Sequence, residues 1–554
     1  MPKEKKFRTV TFDIETDPFC HGRVPVPFCC GFFDGEDYHE FWGDDCIAQF
    51  VEFMAEYPVP CRIYVHNGGG FDFWFLEYAI TNPVFFINKR IAKAGFLDRH
   101  EVRDSYKMIP VPLAEYNKEN IDYAIMERGV REKNKRKILH YLMMDCKYLY
   151  NMVTDFQDRF GDHLTIGSAS LKRLKKMHPG NNSVSELWDE VFRPYYMGGR
   201  CEVFERGHLK GKFHIYDVNS MYPYAMKAYQ HPLNNGYFMR PTNKLPESHG
   251  VYFARFVGES KGALPIMARN KAGAPTGLTF PHGEFEFLAC SHEIIAAQEL
   301  GILKVKRIKE IREFHESQNF GNYVDWAMDG KLRAEQEGDK AGRAFYKLFA
   351  NNAYGKFGSN PRAYADCEIF EDAEAIAQRN AALVVDFEAR ALHDSHLDGR
   401  QAEQFSVIGD FGDKILASKP AELQRHSFKN VAIAASITSA SRAELLKGLS
   451  KAKRPIYCDT DSIVCEEFHG DTDHLRVGAW DHEKEFDEIY IAGKKLYAAF
   501  KNGECVKKAS KGAQLAGEEI ARIALGDTIV KDIDAPALRA SKDARFISRT
   551  FSRT

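Results

Sequence analysis

Two apolar stretches near opposite ends of the chain each carry a pair of carboxylates one residue apart. They are Val10-Thr-Phe-Asp13-Ile-Glu15-Thr16 and Arg454-Pro-Ile-Tyr-Cys-Asp459-Thr-Asp461-Ser-Ile-Val-Cys465. The first alternates as a strand does, and alternate residues of a strand share a face. Asp13 and Glu15 therefore point one way, and Phe12 and Ile14 the other. The second reads as a β-hairpin with Asp459 and Asp461 at its turn. Carboxylates this close repel unless a cation neutralises them, and oxygen ligands favour Mg2+ or Mn2+. A solvent-facing acidic edge or a polar hairpin tip would account for either pair alone, so the remaining segments decide.

Cys61 to His66 reads as another strand, running into Asn67-Gly-Gly-Gly-Phe71-Asp72 and then an apolar helix, Phe73 to Ile80. The glycines let backbone approach a ligand. Asp72 falls in the first helical turn, and Asn67 can hydrogen-bond a nucleic-acid strand. Ile138 to Val153 is helical, with Tyr141 and Asp145 four apart on one face. Farther on, Lys212 to Asp217 is strand-like and ends on a carboxylate. Val218-Asn-Ser-Met-Tyr222-Pro223 then turns tightly, with Pro223 suited to a first helical turn. A carboxylate at a strand end beside exposed amides suits a metal–triphosphate site. Arg343, Lys347 and Asn351 are spaced by four and Tyr354 follows at three, so all lie on one helix face. That face offers two cations for a triphosphate, an amide, and an aromatic plate for a base pair.

The chain's 554 residues suggest several domains, and 44% hydrophobic with 13% aromatic content suits a folded protein. A net charge of −2 does not by itself point to nucleic acid. Basic clusters nevertheless occur at Arg131 to Lys137, Lys172 to Lys176, Lys304 to Lys309 and Lys507 to Lys511, and from Arg539 to Arg553. Twelve cysteines without CxxC spacing suggest reduced thiols and no zinc site. We expect neither a signal peptide nor a membrane span. The turn-rich run His178-Pro-Gly-Asn-Asn-Ser183 marks a first boundary. The irregular stretches 230–280 and 359–425 read as insertions between core elements.

Asp13-Ile-Glu15, Asn67-Gly-Gly-Gly-Phe71-Asp72 and Tyr141-Leu-Met-Met-Asp145 resemble the DxE, Nx2–3(F/Y)D and YxxxD motifs of the DnaQ-like 3′–5′ exonucleases of B-family DNA polymerases. The resemblance implies an RNase H-like sheet and two divalent ions held by Asp13, Glu15, Asp72 and Asp145. Tyr141 would orient water or phosphate, with a lysine of the 131–137 run assisting. Asp217 to Pro223, Lys347 to Gly358 and Tyr457 to Ser462 resemble the polymerase motifs DxxSLYP, Kx3NSxYG and YxDTDS, with Met221 in place of Leu and Asn352 in place of Ser. They imply metal ligation by Asp217, Asp459 and Asp461 and by the Val218 carbonyl. Lys347, with Lys331 or Arg343, would grip the triphosphate beside Asn351. Tyr222 would exclude a 2′-hydroxyl, and Tyr354 would stack beneath the nascent pair.

Tyr196-Met-Gly198-Gly199 matches a YxGG template motif, and Lys495-Leu-Tyr497 a primer-contacting KxY; with Asn67 and Phe71 these would be the DNA ligands.

The layout resembles protein-primed bacteriophage DNA polymerases of the podovirus and tectivirus type. It implies an α+β and α/β multidomain chain: an exonuclease domain over 1–165, a linker over 166–190, and a right-hand polymerase domain over 191–554. Within the latter we expect palm at 191–228 and 430–475, a first insertion at 229–325, fingers at 326–358, a second insertion at 359–428 and thumb at 476–554. Implied partners are template and primer DNA, dNTPs, a terminal protein as primer and a single-stranded-DNA-binding protein. Mg2+, replaceable by Mn2+, would serve both sites of a monomer in the host-cell cytoplasm. A mobile-element polymerase without terminal protein, or a non-catalytic DNA-binding relic, remain the alternatives.

Overall fold

A computed structural model describes residues 7–113, 120–180, 183–233, 237–239, 244–246, 250–262, 264–269, 277–394, 400–422, 428–512, 514–532 and 548–553. Most of the basic tail and part of the 178–183 turn therefore lie outside the described residues.

The N-terminal acids sit in a sheet with ten strands among the described residues. Third from one edge, Arg8–Thr16 runs antiparallel to Pro27–Phe33 and parallel to Cys61–Val65, which in turn runs parallel to His100–Asp104. Val10, Phe12 and Ile14 are buried, as the alternation requires, and Phe12 stacks on Phe50 of the helix Cys46–Glu56 at 4.0 Å. The long helix Lys135–Phe160 crosses the sheet, where the Thr11 hydroxyl donates to the Cys146 carbonyl at 2.8 Å.

One expected element is different. Phe73 to Ile80 is not an α-helix but a succession of 3₁₀ turns, Asp72–Trp74 and Glu77–Ala79, and Ile80 opens a strand. Phe73, Leu76 and Ala79 are buried at every third position, which is the 3₁₀ period and not the α period.

The 166–190 segment is also more than a linker. Ile166–Met177 is a helix whose Ile166 and Ala169 face the core around Phe156, while Leu171 and Leu174 face the core around Phe357. The helix Glu186–Phe192 follows after the turn.

The second acid set is carried by a sheet of seven antiparallel strands, ordered Glu504–Ser510, Leu496–Lys501, Trp480–Gly493, Gly207–Val218, Ser462–Phe468, Ala452–Asp459 and Cys201–Val203. Strands of the segment expected to form a separate thumb thus extend the same sheet. Val431–Ser450 lies against it as a nearly fully buried helix rich in Ala and Ser. Small residues let it approach closely: a Cβ on Gly448 would come within 2.1 Å of the Trp480 ring.

Helices Gly321–Gln336 and Lys340–Phe357 pack as a pair in front of the sheet. Residues 229–325 hold a four-stranded antiparallel sheet with the helix Ser291–Glu299. The second insertion combines strands with a helix, Ala373–Ala391. Its strand Ala365–Phe370 adds to the edge of the N-terminal sheet, pairing Cys367 with Val84. There the Asn82 amide donates to the Ile369 carbonyl at 2.7 Å and accepts from its N–H at 2.9 Å. Phe411 and Leu416 of this insertion are buried in the same core as Phe12.

Candidate functional site

The first site is assembled from three elements. Asp13 and Glu15 on the strand Arg8–Thr16 meet Asp145 of the long helix, and their carboxylate oxygens lie within 4.8 Å of one another. Asp72 lies beside them. Burial, then the charge of Asp13, holds its carboxyl well above the ordinary range. Acids forced together in this way are a standing demand for positive charge, and an all-oxygen donor set suits hard divalent cations.

Tyr141 is buried on the helix face of Asp145, its hydroxyl 3.2 Å from that of Tyr123. Asn67 takes a left-handed turn with φ 62° and accepts from Arg90 Nη1 at 2.8 Å. Phe71 stands edge-on to Phe19 and Phe75.

Two residues here were not anticipated from sequence. Tyr123 is one. The other is Asp104, which caps the Ser105–Met108 helix and whose carboxyl is pushed up to about 6 by burial. Within the basic run 131–137, Arg131 pairs with Asp44 and covers Phe28, and Lys135 lies over Trp42.

The second site lies where three segments of the seven-stranded sheet converge. Asp217 is paired with Ser462 on one side and Asp481 on the other, and the Val218 N–H donates to the Asp461 carbonyl at 2.8 Å. Ser220 and Thr460 both take φ 60°, making the two chain reversals tight. The Asp217 carboxyl is pushed up to about 7 by burial, by Asp461 and by Glu483. Burial and Asp459 also raise Asp461.

Two cavities meet at these acids. One, of about 370 Å³, is lined by Asp217, Val218, Tyr222, Lys331, Lys347, Asn351 and Asp461. The other, of about 450 Å³, is lined by Asp217, Asp459, Asp461, Lys495, Tyr497 and Lys507. Asp217 and Asp461 belong to both. The two further cation candidates, Lys331 and Arg343, are placed differently. Lys331 lines the first cavity with Lys347, whereas Arg343 turns to Glu335 at 3.4 Å. Tyr222 stacks on Tyr354 with ring centroids 4.1 Å apart. Lys495, read from sequence as a DNA contact, places its ammonium on Asp459, 2.6 Å from Oδ1. Tyr497 is buried against the Tyr457 ring.

The Tyr196–Gly199 segment packs directly on the acid turn. A Cβ on Gly199 would lie 2.7 Å from Thr460 Oγ1, and the Thr460 N–H donates to the Arg200 carbonyl at 2.7 Å. Gly358, at the end of the Lys340–Phe357 helix, sits against the Tyr196 ring.

At the second site Arg442 is a further residue that sequence reasoning missed. From the buried helix it donates to the carbonyls of Met197 at 2.8 Å and Gly198 at 3.0 Å, and it pairs with Glu293 at 3.0 Å. Its signal was available: a single arginine in a run of Ala, Ser, Ile and Thr must find partners if that run is buried.

Comparison with known proteins agrees with this geometry. The family described as DNA polymerase type B, organellar and viral, matches residues 100–455. A DNA-directed DNA polymerase of Enterobacteria phage PRD1 is 38% identical over 100% of this chain and 99% of its own length. A DNA polymerase of Bacillus phage phi29 is 21% identical over 84% of this chain and 82% of its own. The structure of phi29 DNA polymerase complexed with primer-template DNA and incoming nucleotide substrates superposes with a TM-score of 0.72 at 17% identity, covering 99% of this chain and 100% of that one. The chain therefore belongs to the organellar and viral type-B DNA polymerases, and is a DNA-directed DNA polymerase.

Proposed function

We propose that the polymerase extends a primer at Asp217, Asp459 and Asp461 and removes 3′-terminal nucleotides at Asp13, Glu15, Asp72 and Asp145. The sharing of Asp217 and Asp461 by two cavities carries this reading: one side suits an incoming nucleotide, the other a primer terminus. Mg2+ is the cofactor we assign, with Mn2+ as its substitute. When bound, it activates the attacking oxygen and offsets charge on the leaving one.

The chain's own residues position the reactants. Lys331 and Lys347 neutralise the triphosphate, and mutual repulsion with Arg343 adds to burial in lowering the Lys331 ammonium below its usual range. Tyr222, braced by Tyr354, closes the space at the sugar, and Tyr354 meets the nascent pair. Gly198 and Gly199, set by Arg442, present backbone to the template. The primer 3′-hydroxyl then attacks the α-phosphate in line and pyrophosphate leaves, so most of the protein's contribution is orientation and charge. At the first site water attacks the terminal phosphodiester, beside Tyr141 and with the strand held by Asn67 and Phe71.

Separation of function tests both assignments. Asp13→Ala with Glu15→Ala should abolish degradation of single strands and leave primer extension intact, and Asp459→Ala should do the converse. Primer extension by Asp459→Ala near the parental rate would remove the polymerase-site assignment.

We further assign protein-primed initiation and strand displacement in a host cell's cytoplasm, with a terminal protein docking on the first insertion and the second insertion closing over the template. A single-stranded-DNA-binding protein would serve the displaced strand. The support is two long insertions in a compact chain, relatedness to phage polymerases, and the second insertion's attachment to the sheet that carries the first site. Covalent labelling of a protein from the same genome by a radiolabelled nucleotide tests the priming; absence of any labelled protein would favour a primer-independent enzyme. For displacement, the test is a deletion of residues 392–403, chosen because it spares Phe405, Phe411 and Leu416, which are buried in two cores. Displacement on a gapped circle should fall while extension on short open templates persists.

A further inference from the structure

Four residues beyond Glu15 the chain leaves the sheet and presents Phe19 with 53% of its surface exposed. The loop that carries it is fastened at the neck. Asp17 N–H donates to the Val26 carbonyl at 3.2 Å, and Val26 N–H donates to Asp17 Oδ1 at 2.6 Å. Arg23 donates to the Pro18 carbonyl at 2.5 Å and to Glu127 at 3.2 Å. With its neck tied in this way the loop leaves more than half of the ring in water, against the hydrophobic preference.

The ring's position gives the reason. Phe19 meets Phe71 edge-on at 5.5 Å and 78°, and Phe71 meets Phe75 at 5.1 Å and 76°. Phe71 immediately precedes Asp72. The three rings form a ledge that leads from the acids to the surface, with Phe19 outermost and with Asn67 and the Arg90 guanidinium beside it. Exposed π-faces next to a polar, cationic rim are the ingredients of single-stranded nucleic-acid binding, in which bases stack on rings without regard to sequence. Bases inside a paired duplex are covered by their neighbours, and a terminal pair, whose outer face is open, is held in the helix and cannot swing a single base onto such a ledge.

We infer that Phe19 is a stacking shelf for an unpaired nucleobase at the mouth of the exonuclease site. The inference rests on the exonuclease reading of the Asp13 cluster. Phe19 touches no reacting atom; it positions the strand, and a frayed or mismatched 3′ end gains from it what a paired end cannot.

The probe is 5′-labelled oligothymidylate, bound in EDTA and followed by fluorescence anisotropy. Phe19→Ala should raise its Kd roughly tenfold, the loss expected for one stacked base. Phe19→Trp should restore or tighten binding. In Mg2+, Phe19→Ala should raise KM for single-strand degradation with kcat retained, and extension of a fully paired primer should be unchanged, which also reports that the variant is folded. An active parent whose Phe19→Ala variant binds and degrades oligothymidylate equally well overturns the shelf alone. A parent that extends primers but degrades no single strand overturns the exonuclease reading and the shelf with it.

Discussion

Replacing Asp217 by Asn should destroy polymerisation and stabilise the metal-free protein. The carboxyl is pushed from an ordinary aspartate's 3.8 up to about 7 by burial, Asp461 and Glu483. An acid whose folded pKa is raised is held more easily as the neutral form. Below about pH 4 it is protonated in both states and contributes nothing. As pH rises toward 7 the unfolded chain releases the proton while the folded site resists, so stability falls across that window and stays lower above it. The rise from 3.8 to about 7 sets a ceiling of about 4 kcal/mol. Because Asp217 lines two solvent-filled cavities, screening reduces this to about 1–2 kcal/mol.

The amide removes that penalty. Thermal unfolding in EDTA at pH 8 should therefore show the transition of the domain bearing Asp217 higher in Asp217→Asn than in the parent, by roughly 1–3 °C on an unfolding entropy of about 2.1 cal/mol/K per residue. At pH 5 the gap should shrink, since most of the folded parent is then protonated at this site. Saturating Mg2+ should close the gap from the other direction, by raising the parent through preferential binding to the folded state while leaving the variant behind. An Asp217→Asn protein no more stable than the parent at pH 8 in EDTA would refute the claim that these acids repel in the empty site.

Tyr222→Val should raise ribonucleotide incorporation at least tenfold, since losing about 1.4 kcal/mol of discrimination gives that factor; single-turnover insertion of a ribonucleotide against its deoxy counterpart reads it. Arg442→Met should cost about 3–5 kcal/mol, because Glu293 is left charged and buried. Denaturant midpoints measure this, and Arg442→Met with Glu293→Leu should recover a good part of it. Gly199→Ala should slow nucleotide insertion about tenfold with little change in unfolding, through displacement of the Thr460 turn by a Cβ that has no room. Parental rates in that variant would show that the turn yields freely.

The residues that were legible in sequence are those whose chemistry is local. Asp13 and Glu15 declare themselves because a strand places i and i+2 on one face, and Asp459 and Asp461 because a two-residue turn admits no other arrangement. The Phe73–Ile80 stretch was misread for the same local reason: over eight residues, burial at every third position and an amphipathic α pattern share most of their apolar positions. What was hidden depends on choices between distant partners. Nothing near residue 367 says that it will pair with Val84, because an edge strand can be completed by any suitable neighbour. Yet that pairing, sealed by Asn82 and by Phe411 in the N-terminal core, joins the second insertion to the sheet that bears Asp13 and Glu15. A close-packed core transmits displacement instead of absorbing it. If the second insertion acts on duplex as proposed, strain on it would reach the sheet that bears Asp13 and Glu15, and its variants should be assayed for degradation as well as for displacement.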